Sequence, residues 1–434
     1  VAGPLFCMTS PVFRTAGGAE KAPYKSDFVL MKRRTNMKKK LLAFVMAATM
    51  VFSLAACGSS SSNDSSNSGS SSDSDSAQSG DEVQTFKLGS IGPLTGDAAI
   101  YGQAVVNGAQ LAVDEINASD SKIKFEFQGE DDEADGEKSV NAYNTLKDWG
   151  MQMLMGTVTS APCVAVADKT MADNMFQITP SGSSVECAQN PNVFRVCFSD
   201  PDQGAASATY IAENKLADKI AVIYDSSDVY SSGIYEKFAS EAANHGLDIV
   251  AAEAFTADSN KDFSTQLQKA KDAGADLVFL PIYYTEASLI LNQANTMGYA
   301  PKFFGCDGMD GILQVDNFDT KLAEGLMLLT PFAADADDEL TQKFVTAYKE
   351  KYGETPIQFA ADAYDAIYAI KAAAEKAGIT PETSASDTCD KMKEAMLKIT
   401  VNGLTGENMT WTEDGEPHKA PKAVKVVDGA YQAM

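Results

Sequence analysis

Apolar residues in the main part of the sequence occur in short strand-like runs that alternate with longer runs at helical spacing. "FKLGSIG" (86–92) is typical of a buried strand, and "KIKFEFQ" (122–128) alternates between apolar and polar positions. Between them, residues 99–117 carry apolar side chains at three- and four-residue intervals, from Val105 to Ile116. The same patterns predict further strands at 151–156, 175–180, 219–225, 248–255, 276–282 and 302–305, and helices at about 138–148, from 161, 231–245, 261–273 and 285–298.

This alternation indicates an α/β protein in which helices cover both faces of parallel sheets. The pattern restarts at residue 219, so the chain divides into halves of about 85–200 and 201–330. Residues 331–434 complete these two lobes; they contain predicted helices at 337–351 and 357–377 and the strand-like "KAVKVV" (422–427). Ligands of such sheets bind beyond the carboxyl ends of the strands, so two facing lobes would hold a ligand in the cleft between them.

A different pattern precedes the α/β region. From Met37, three lysines lead into an apolar run of about fourteen residues (41–54), which is short for a membrane-spanning helix. Its end, Leu54-Ala55-Ala56-Cys57, resembles the lipobox of bacterial lipoproteins. That resemblance implies a signal peptide at 37–56 and lipidation of Cys57 as the first mature residue. Residues 1–36 then precede the signal, and we interpret them as a mis-called upstream extension.

A serine tract follows the predicted lipidation site. Residues 58–82 contain thirteen serines and almost no apolar side chains. Such a segment cannot bury enough surface to offset the entropy of ordering, so we expect residues 57–84 to form a disordered tether. The tether would hold the folded part at the outer face of the bacterial cytoplasmic membrane.

Charge and composition exclude several classes of function. The formal net charge is −25, and no basic, aromatic-rich patch offsets it, which argues against a nucleic-acid partner. The sequence contains only two histidines, His245 and His418, and they lie far apart. This argues against a histidine-rich metal site and against a catalytic serine–histidine pair. "EDDEADGE" (130–137) lacks the calcium-loop pattern, and no P-loop motif occurs. We therefore expect that the protein binds no metal or cofactor and is not an enzyme.

Several stretches, in order along the chain, resemble the branched-chain amino-acid-binding proteins of ABC transporters. They are "IGPLTGDAAIYGQAVVNGAQLAVDEIN" (91–117), "GTVTS" (156–160), "ITPSGSS" (178–184), "NVFRVCFSDPDQG" (192–204), "VYSSG" (229–233) and "FFGCDG" (303–308). The resemblance implies a type I periplasmic-binding-protein fold, with two Rossmann-like lobes, three inter-lobe crossings and a ligand in the cleft. We expect an N-terminal lobe of 85–200 plus about 333–406, and a C-terminal lobe of 201–332 plus about 407–434.

Hydroxyl residues after two predicted strands are candidates for binding a ligand's carboxylate. Thr159-Ser160 and Ser181–Ser184 lie where a helix or turn would begin, and free backbone N–H groups there suit a small anion. Spacing alone leaves N-capping without a ligand as the alternative. The resemblance assigns the carboxylate to Ser160, and carboxylate and ammonium contacts to Ser181 and Ser183.

An acidic residue and several aromatic residues complete the predicted site. Asp307 follows the strand "KFFG", where the family carries an acid for the ligand's ammonium group; the alternative is a turn aspartate in "CDG". The resemblance also places Tyr101 and Tyr230 against the ligand, with ordinary core packing as the alternative. The remaining candidates are Tyr283, Tyr284 and Phe359, and we expect only one of the two adjacent tyrosines to face the cleft.

The lining contains no arginine or lysine as a counter-charge for a ligand side chain, which favours neutral or apolar ligands. Serine and glycine in "SGSS" replace the family's frequent alanine and threonine, which leaves the ligand's identity open. Trp149 and Trp411 lie away from the motifs, which argues against a stacked sugar. Cys187 and Cys197 are the nearest cysteine pair in sequence, and plain buried thiols remain the alternative to a disulfide.

These observations predict a monomeric, lipid-anchored solute-binding protein that captures a branched-chain or other neutral amino acid and delivers it to an ABC permease in the membrane. One alternative is the same fold binding an amide, urea or small aromatic acid. Another is a receptor that presents its ligand to a membrane signalling partner.

Overall fold

The computed structural model describes residues 83–434. The predicted signal peptide, Cys57 and the serine tract lie outside the described residues. Within the described range, no helix has both the length and the apolar character needed to cross a membrane.

The first lobe is built on a five-stranded, all-parallel sheet with the order β2-β1-β3-β4-β5. Its strands are β1 Gln84–Gly92, β2 Ile123–Asp131, β3 Met153–Gly156, β4 Gln177–Thr179 and β5 Val193–Arg195, and its connecting helices are α1 Ala99–Ala118, α2 Gly136–Trp149 and α3 Ser160–Asp173. The predicted strands and helices of this half are confirmed apart from small shifts of their ends. β5 was not predicted, since three residues are too few to show a strand period.

The second lobe is built on a seven-stranded sheet with the order β12-β11-β10-β9-β8-β6-β7. Its elements are α4 Asp200–Glu213, β6 Ile220–Asp225, α5 Val229–His245, β7 Ile249–Phe255, α6 Ser264–Asp272, β8 Leu277–Leu280, α7 Tyr284–Thr296, β9 Lys302–Gly305, β10 Met327–Thr330, β11 Lys422–Val427 and β12 Ala430–Ala433. The sequence analysis did not predict α4, β10 or β12, nor a later helix at Ala385–Met396.

The expectation of parallel sheets holds only in part for this lobe. β11 pairs antiparallel with both β10 and β12. The chain reverses between β11 and β12 at Asp428-Gly429, where φ is +52° and +76°. A turn of two residues with positive φ matches the twist of a hairpin, so the last strand folds back beside its predecessor.

Three further helices, α8 Glu339–Tyr352, α9 Gln358–Ala377 and α10 Ala385–Met396, return the chain to the first lobe. α9 packs along α1 so closely that a Cβ on Gly108 would lie 2.1 Å from the carbonyl oxygen of Ala360. The chain crosses between the lobes at 196–199, 331–338 and 397–421. The predicted two-lobed α/β fold with three crossings is therefore confirmed.

Candidate functional site

A small cavity lies between the lobes at the carboxyl ends of the parallel strands. Eight of the predicted site residues surround it: Tyr101, Ser160, Ser181, Ser183, Tyr230, Tyr283, Asp307 and Phe359. Val158, Thr159 and Gly308 complete the lining. The side chains come from both lobes because β3 and β4 of one sheet and β9 of the other end at this cleft. The ninth predicted residue, Tyr284, is absent from the lining.

Hydroxyl groups and a helix N-terminus form one wall of the cavity. Ser160 is the first residue of α3, and its Oγ accepts hydrogen bonds from the backbone N–H groups of Ser183 (3.2 Å) and Ser184 (3.1 Å). Because that oxygen already accepts two bonds, its own proton is available to an acceptor in the cavity. Thr159 Oγ1 is buried without a partner among the described residues. A helix N-terminus with hydroxyl donors suits a carboxylate.

Arg195 holds the loop that carries these serines, and the sequence analysis did not identify it. Its side chain is fully buried at the end of β5. Nη1 donates to the carbonyl oxygen of Ser183 (2.6 Å) and Nη2 to that of Ser184 (3.0 Å), while Nε lies 3.2 Å from a carboxylate oxygen of Glu416. The guanidinium thus binds the carbonyls of the same two residues whose N–H groups donate to Ser160. An arginine ending the apolar run "NVFR" was the available signal.

The opposite wall contains Asp307, which is 5 % exposed. Its Oδ1 accepts a hydrogen bond from the hydroxyl of Tyr230 (2.8 Å), and its backbone N–H donates to Oε1 of Gln203 (3.2 Å). Burial raises the pKa of Asp307 from 3.8 to about 6, although the hydrogen bond from Tyr230 to its carboxylate opposes the shift. A buried carboxylate of this kind is favoured by a cationic partner such as an ammonium group.

Aromatic rings close the space between the two walls. Tyr101 stacks on Phe359 with ring centroids 4.2 Å apart, and Tyr230 stacks on Tyr283 at 4.9 Å. The cavity left between them measures about 10 Å³, which is room for the centre of one water molecule. A solute of amino-acid size therefore enters only when the lobes and rings move apart.

Tyr283 and Tyr284 do not lie on a strand, so strand alternation does not decide which faces the cleft. β8 ends at Leu280, Tyr283 is the N-cap of α7, and Tyr284 is the first helical residue. Tyr283 lines the cavity. Tyr284 instead accepts a hydrogen bond at its hydroxyl from the backbone N–H of Ile100 (3.2 Å), across the rim of the cleft. Together with the hydroxyl of Tyr101, which donates to the carbonyl of Gly308, this bond joins the lobes in a closed arrangement.

The cysteine and histidine residues considered in the sequence analysis do not line this cavity. Residues 83–434 contain no group of three or more histidine, cysteine or acidic side chains arranged to hold a metal ion. Cys187 and Cys197 are both free and buried, and the thiol that Cys187 contacts belongs to Cys163.

A model of the periplasmic binding protein family matches residues 85–430. The chain is 28% identical over 335 residues to the Leu/Ile/Val-binding protein BraC3 of Rhizobium johnstonii, covering 74% of this chain and 88% of that protein. The crystal structure of the leucine-binding protein LivK of Thermotoga maritima is similar, with 27% identity, a TM-score of 0.73 and coverage of 80% of this chain and 97% of the other. The crystal structure of the substrate-binding protein LivJ of Streptococcus pneumoniae in complex with isoleucine is also similar. It has 26% identity and a TM-score of 0.72, and the match covers 81% of this chain and 99% of the other.

Proposed function

The chain belongs to the periplasmic binding protein family, and from that premise we propose that it is the substrate-binding protein of an ABC importer for a branched-chain or other neutral amino acid. The solute would bind in the cleft between the lobes, and closure would bury it. Closure excludes water, which strengthens each polar contact inside.

One observation carries this proposal: the same cavity has hydroxyl groups and a helix N-terminus on one wall and a buried carboxylate on the other. The hydroxyls of Ser160 and Thr159 and the N-terminus of α3 would bind the α-carboxylate. Asp307 would bind the α-ammonium group, and Tyr101, Tyr283 and Phe359 would pack against an apolar side chain. Relatives named for leucine, isoleucine and valine support this choice of ligand.

The proposed cellular role rests on the sequence pattern before residue 83. A lipid on Cys57 and a flexible tether would keep a monomeric binding protein outside the cytoplasmic membrane, close to its permease. Tethering raises the effective concentration of the binding protein at the membrane. The N-terminal and C-terminal lobe boundaries given above belong to the same proposal.

A small aromatic acid is the second candidate ligand, because stacked rings line the cavity. Such a ligand has a carboxylate but no ammonium group, so it would leave Asp307 without a cationic partner. Substituting Asp307 therefore separates the two candidates: the variant should lose affinity for an amino acid and retain or gain affinity for benzoate.

The direct test is a thermal-shift screen of the purified protein against the neutral amino acids and benzoate, followed by calorimetric titration of any compound that raises the midpoint. A solute that binds only the folded state stabilises it by RT ln(1 + [L]/Kd). We expect leucine, isoleucine or valine to raise the midpoint. A shift with benzoate alone would favour the second candidate, and no shift with any amino acid would contradict the proposed function.

A further inference from the structure

Asp200 is a buried carboxylate beside the proposed carboxylate site, and nothing above uses it. It is the first residue of α4, directly after the first crossing between the lobes, and it is 1 % exposed. Its backbone N–H donates to the carbonyl oxygen of Ser183 in the first lobe (2.9 Å). On its other side, a Cβ added to Gly233 of α5 would lie 3.2 Å from its Oδ2. Both lobes therefore enclose this side chain.

The carboxyl group of Asp200 is poorly satisfied. Oδ1 has no hydrogen-bond partner within residues 83–434, and the hydroxyl that interacts with the group is that of Ser183. Capping of α4 does not explain the residue, because Ser199 Oγ accepts from the N–H of Asp202. A helix N-terminus favours a negative charge, but here that charge would be buried without the donors that normally accompany it.

The three side chains Ser160, Ser183 and Asp200 form a chain that leads away from the cavity. The Oγ atoms of Ser160 and Ser183 lie 3.5 Å apart. The backbone bond from the N–H of Asp200 to the carbonyl oxygen of Ser183 (2.9 Å) brings the Asp200 carboxyl group next to Ser183, whose hydroxyl lowers the pKa of Asp200. Ser183 has one hydroxyl proton. If Asp200 is ionised, that proton is drawn to Asp200, and Ser183 presents only lone pairs to the cavity. If Asp200 is protonated, it donates to Ser183, and the Ser183 proton is free for a ligand carboxylate.

The surrounding charges also favour the protonated form. Burial raises the pKa of Asp200 well above its ordinary range, and Asp307 on the opposite wall and Asp228 at the start of α5 raise it further, whereas Arg195 at the end of β5 lowers it. The groove outside Asp200 also contains Glu186, Glu236 and Lys237. Of these, Lys237 pairs with Glu241, and Glu186 accepts from the hydroxyl of Ser184.

We propose that Asp200 takes up one proton from solvent when a carboxylate-bearing ligand binds and the lobes close around it. This inference rests on the proposed function and extends it by making capture proton-coupled: protein, ligand and one proton combine into the closed complex. Two neighbouring carboxylates cannot both remain ionised in a buried site, so the proton is held by Asp200 and its effect reaches the ligand through Ser183. Asp200 is thus a positioning residue.

The linkage predicts a distinctive pH dependence. One proton taken up on binding makes Kd rise about tenfold per pH unit between the pKa of Asp200 in the open protein and its higher pKa in the closed complex. Asp307 and Asp228, whose pKa values burial raises to about 6, are ionised at about pH 8 and then contribute little proton exchange. Measurements near pH 8 therefore isolate Asp200.

The test is calorimetric titration of the purified protein with leucine, and in parallel with benzoate, in two buffers of different ionisation enthalpy at about pH 8. We expect uptake of about one proton by the unchanged protein and of about zero by Asp200→Asn, whose affinity should no longer fall with rising pH. Asp202→Asn is the matched control: this exposed residue lies in the same helical turn and should leave proton uptake unchanged. Binding without proton uptake, or uptake that survives in Asp200→Asn, would overturn the proposal.

A second measurement does not need a ligand. Because burial raises the folded-state pKa of Asp200 above its unfolded value, the ionised residue destabilises the folded protein at high pH, and protonation at low pH removes that cost. Asp200→Asn should therefore stabilise the protein more at pH 8 than at pH 5, as measured by urea denaturation. If neither leucine nor benzoate binds at any pH, the proposed function fails. If Asp200→Asn changes the unfolding free energy equally at both pH values, the proposal that Asp200 takes up a proton fails as well.

Discussion

Replacing Asp307 by asparagine should weaken ligand binding and stabilise the folded protein at the same time. The substitution keeps the size of the side chain and an oxygen that can accept the Tyr230 hydroxyl (2.8 Å). It removes the negative charge that we assign to the ligand's ammonium group. The two effects have different physical origins, so each can be checked separately.

The loss of affinity follows from leaving the ammonium group of a bound amino acid without a counter-charge in a closed cavity. Truncating one partner of a buried, hydrogen-bonded charge pair costs about 2–5 kcal/mol. At about 1.4 kcal/mol per tenfold change, Kd for leucine should rise roughly 30-fold to several-thousand-fold.

The gain in stability follows from the pKa of Asp307, which burial raises from 3.8 to about 6. Because the folded protein binds this proton more tightly than the unfolded chain, the residue costs stability as the pH rises through that interval. A shift of roughly two units at about 1.4 kcal/mol per unit corresponds to about 3 kcal/mol above pH 6. Asp307→Asn should therefore raise the unfolding free energy by up to about that amount at pH 8 and by little below pH 4.

Calorimetric titration with leucine and urea denaturation across this pH range measure the two effects. Asp132→Asn is a matched control, since burial also raises the pKa of Asp132 to about 6. Its carboxylate accepts from the N–H of Ala134 and the hydroxyl of Ser139, and it does not line the cavity. The control should show the same sign of pH-dependent stabilisation and an unchanged Kd. An unchanged Kd in Asp307→Asn would refute the assignment of Asp307 to the ammonium group, and a stability change independent of pH would refute the burial argument.

Three further predictions concern the loop, the rim and the anchor. Arg195→Lys should lower the unfolding free energy by about 2–4 kcal/mol, because one ammonium group cannot serve both buried carbonyls that Nη1 and Nη2 serve; a loss below about 0.5 kcal/mol in urea denaturation would contradict this role. Tyr284→Phe removes the inter-lobe bond to Ile100 (3.2 Å) and should weaken leucine binding about fivefold, for a net loss of about 1 kcal/mol; an unchanged Kd would show that this bond does not favour closure. Cys57→Ala should abolish incorporation of radioactive fatty acid, and label that persists would reject the anchor.

Much of the fold was predictable because the spacing of apolar residues within a long amphipathic segment is enough to identify it as a helix or a strand. The predicted bounds of α1 and α9 agree with the structure to within one residue at each end. Both helices bury apolar residues at helical spacing in the core of the first lobe. The missed elements have physical reasons: β5 is three residues long, and β10 is four residues of a buried strand without a polar alternation. Short segments of this kind acquire their structure from pairing with neighbouring strands rather than from their own pattern.

By itself, the sequence determined the α/β alternation and the places where hydroxyl and acidic residues follow strands. These features depend on residues close together along the chain. The tertiary structure alone decided that Tyr283 and not Tyr284 lines the cavity, because that depends on where β8 ends and α7 begins. It also brought Arg195 under the serine loop and Asp200 against Ser183. The first contact depends on β4 and β5 lying side by side, and the second on the first crossing between the lobes. Both join residues that are distant along the chain, and no local period encodes such contacts.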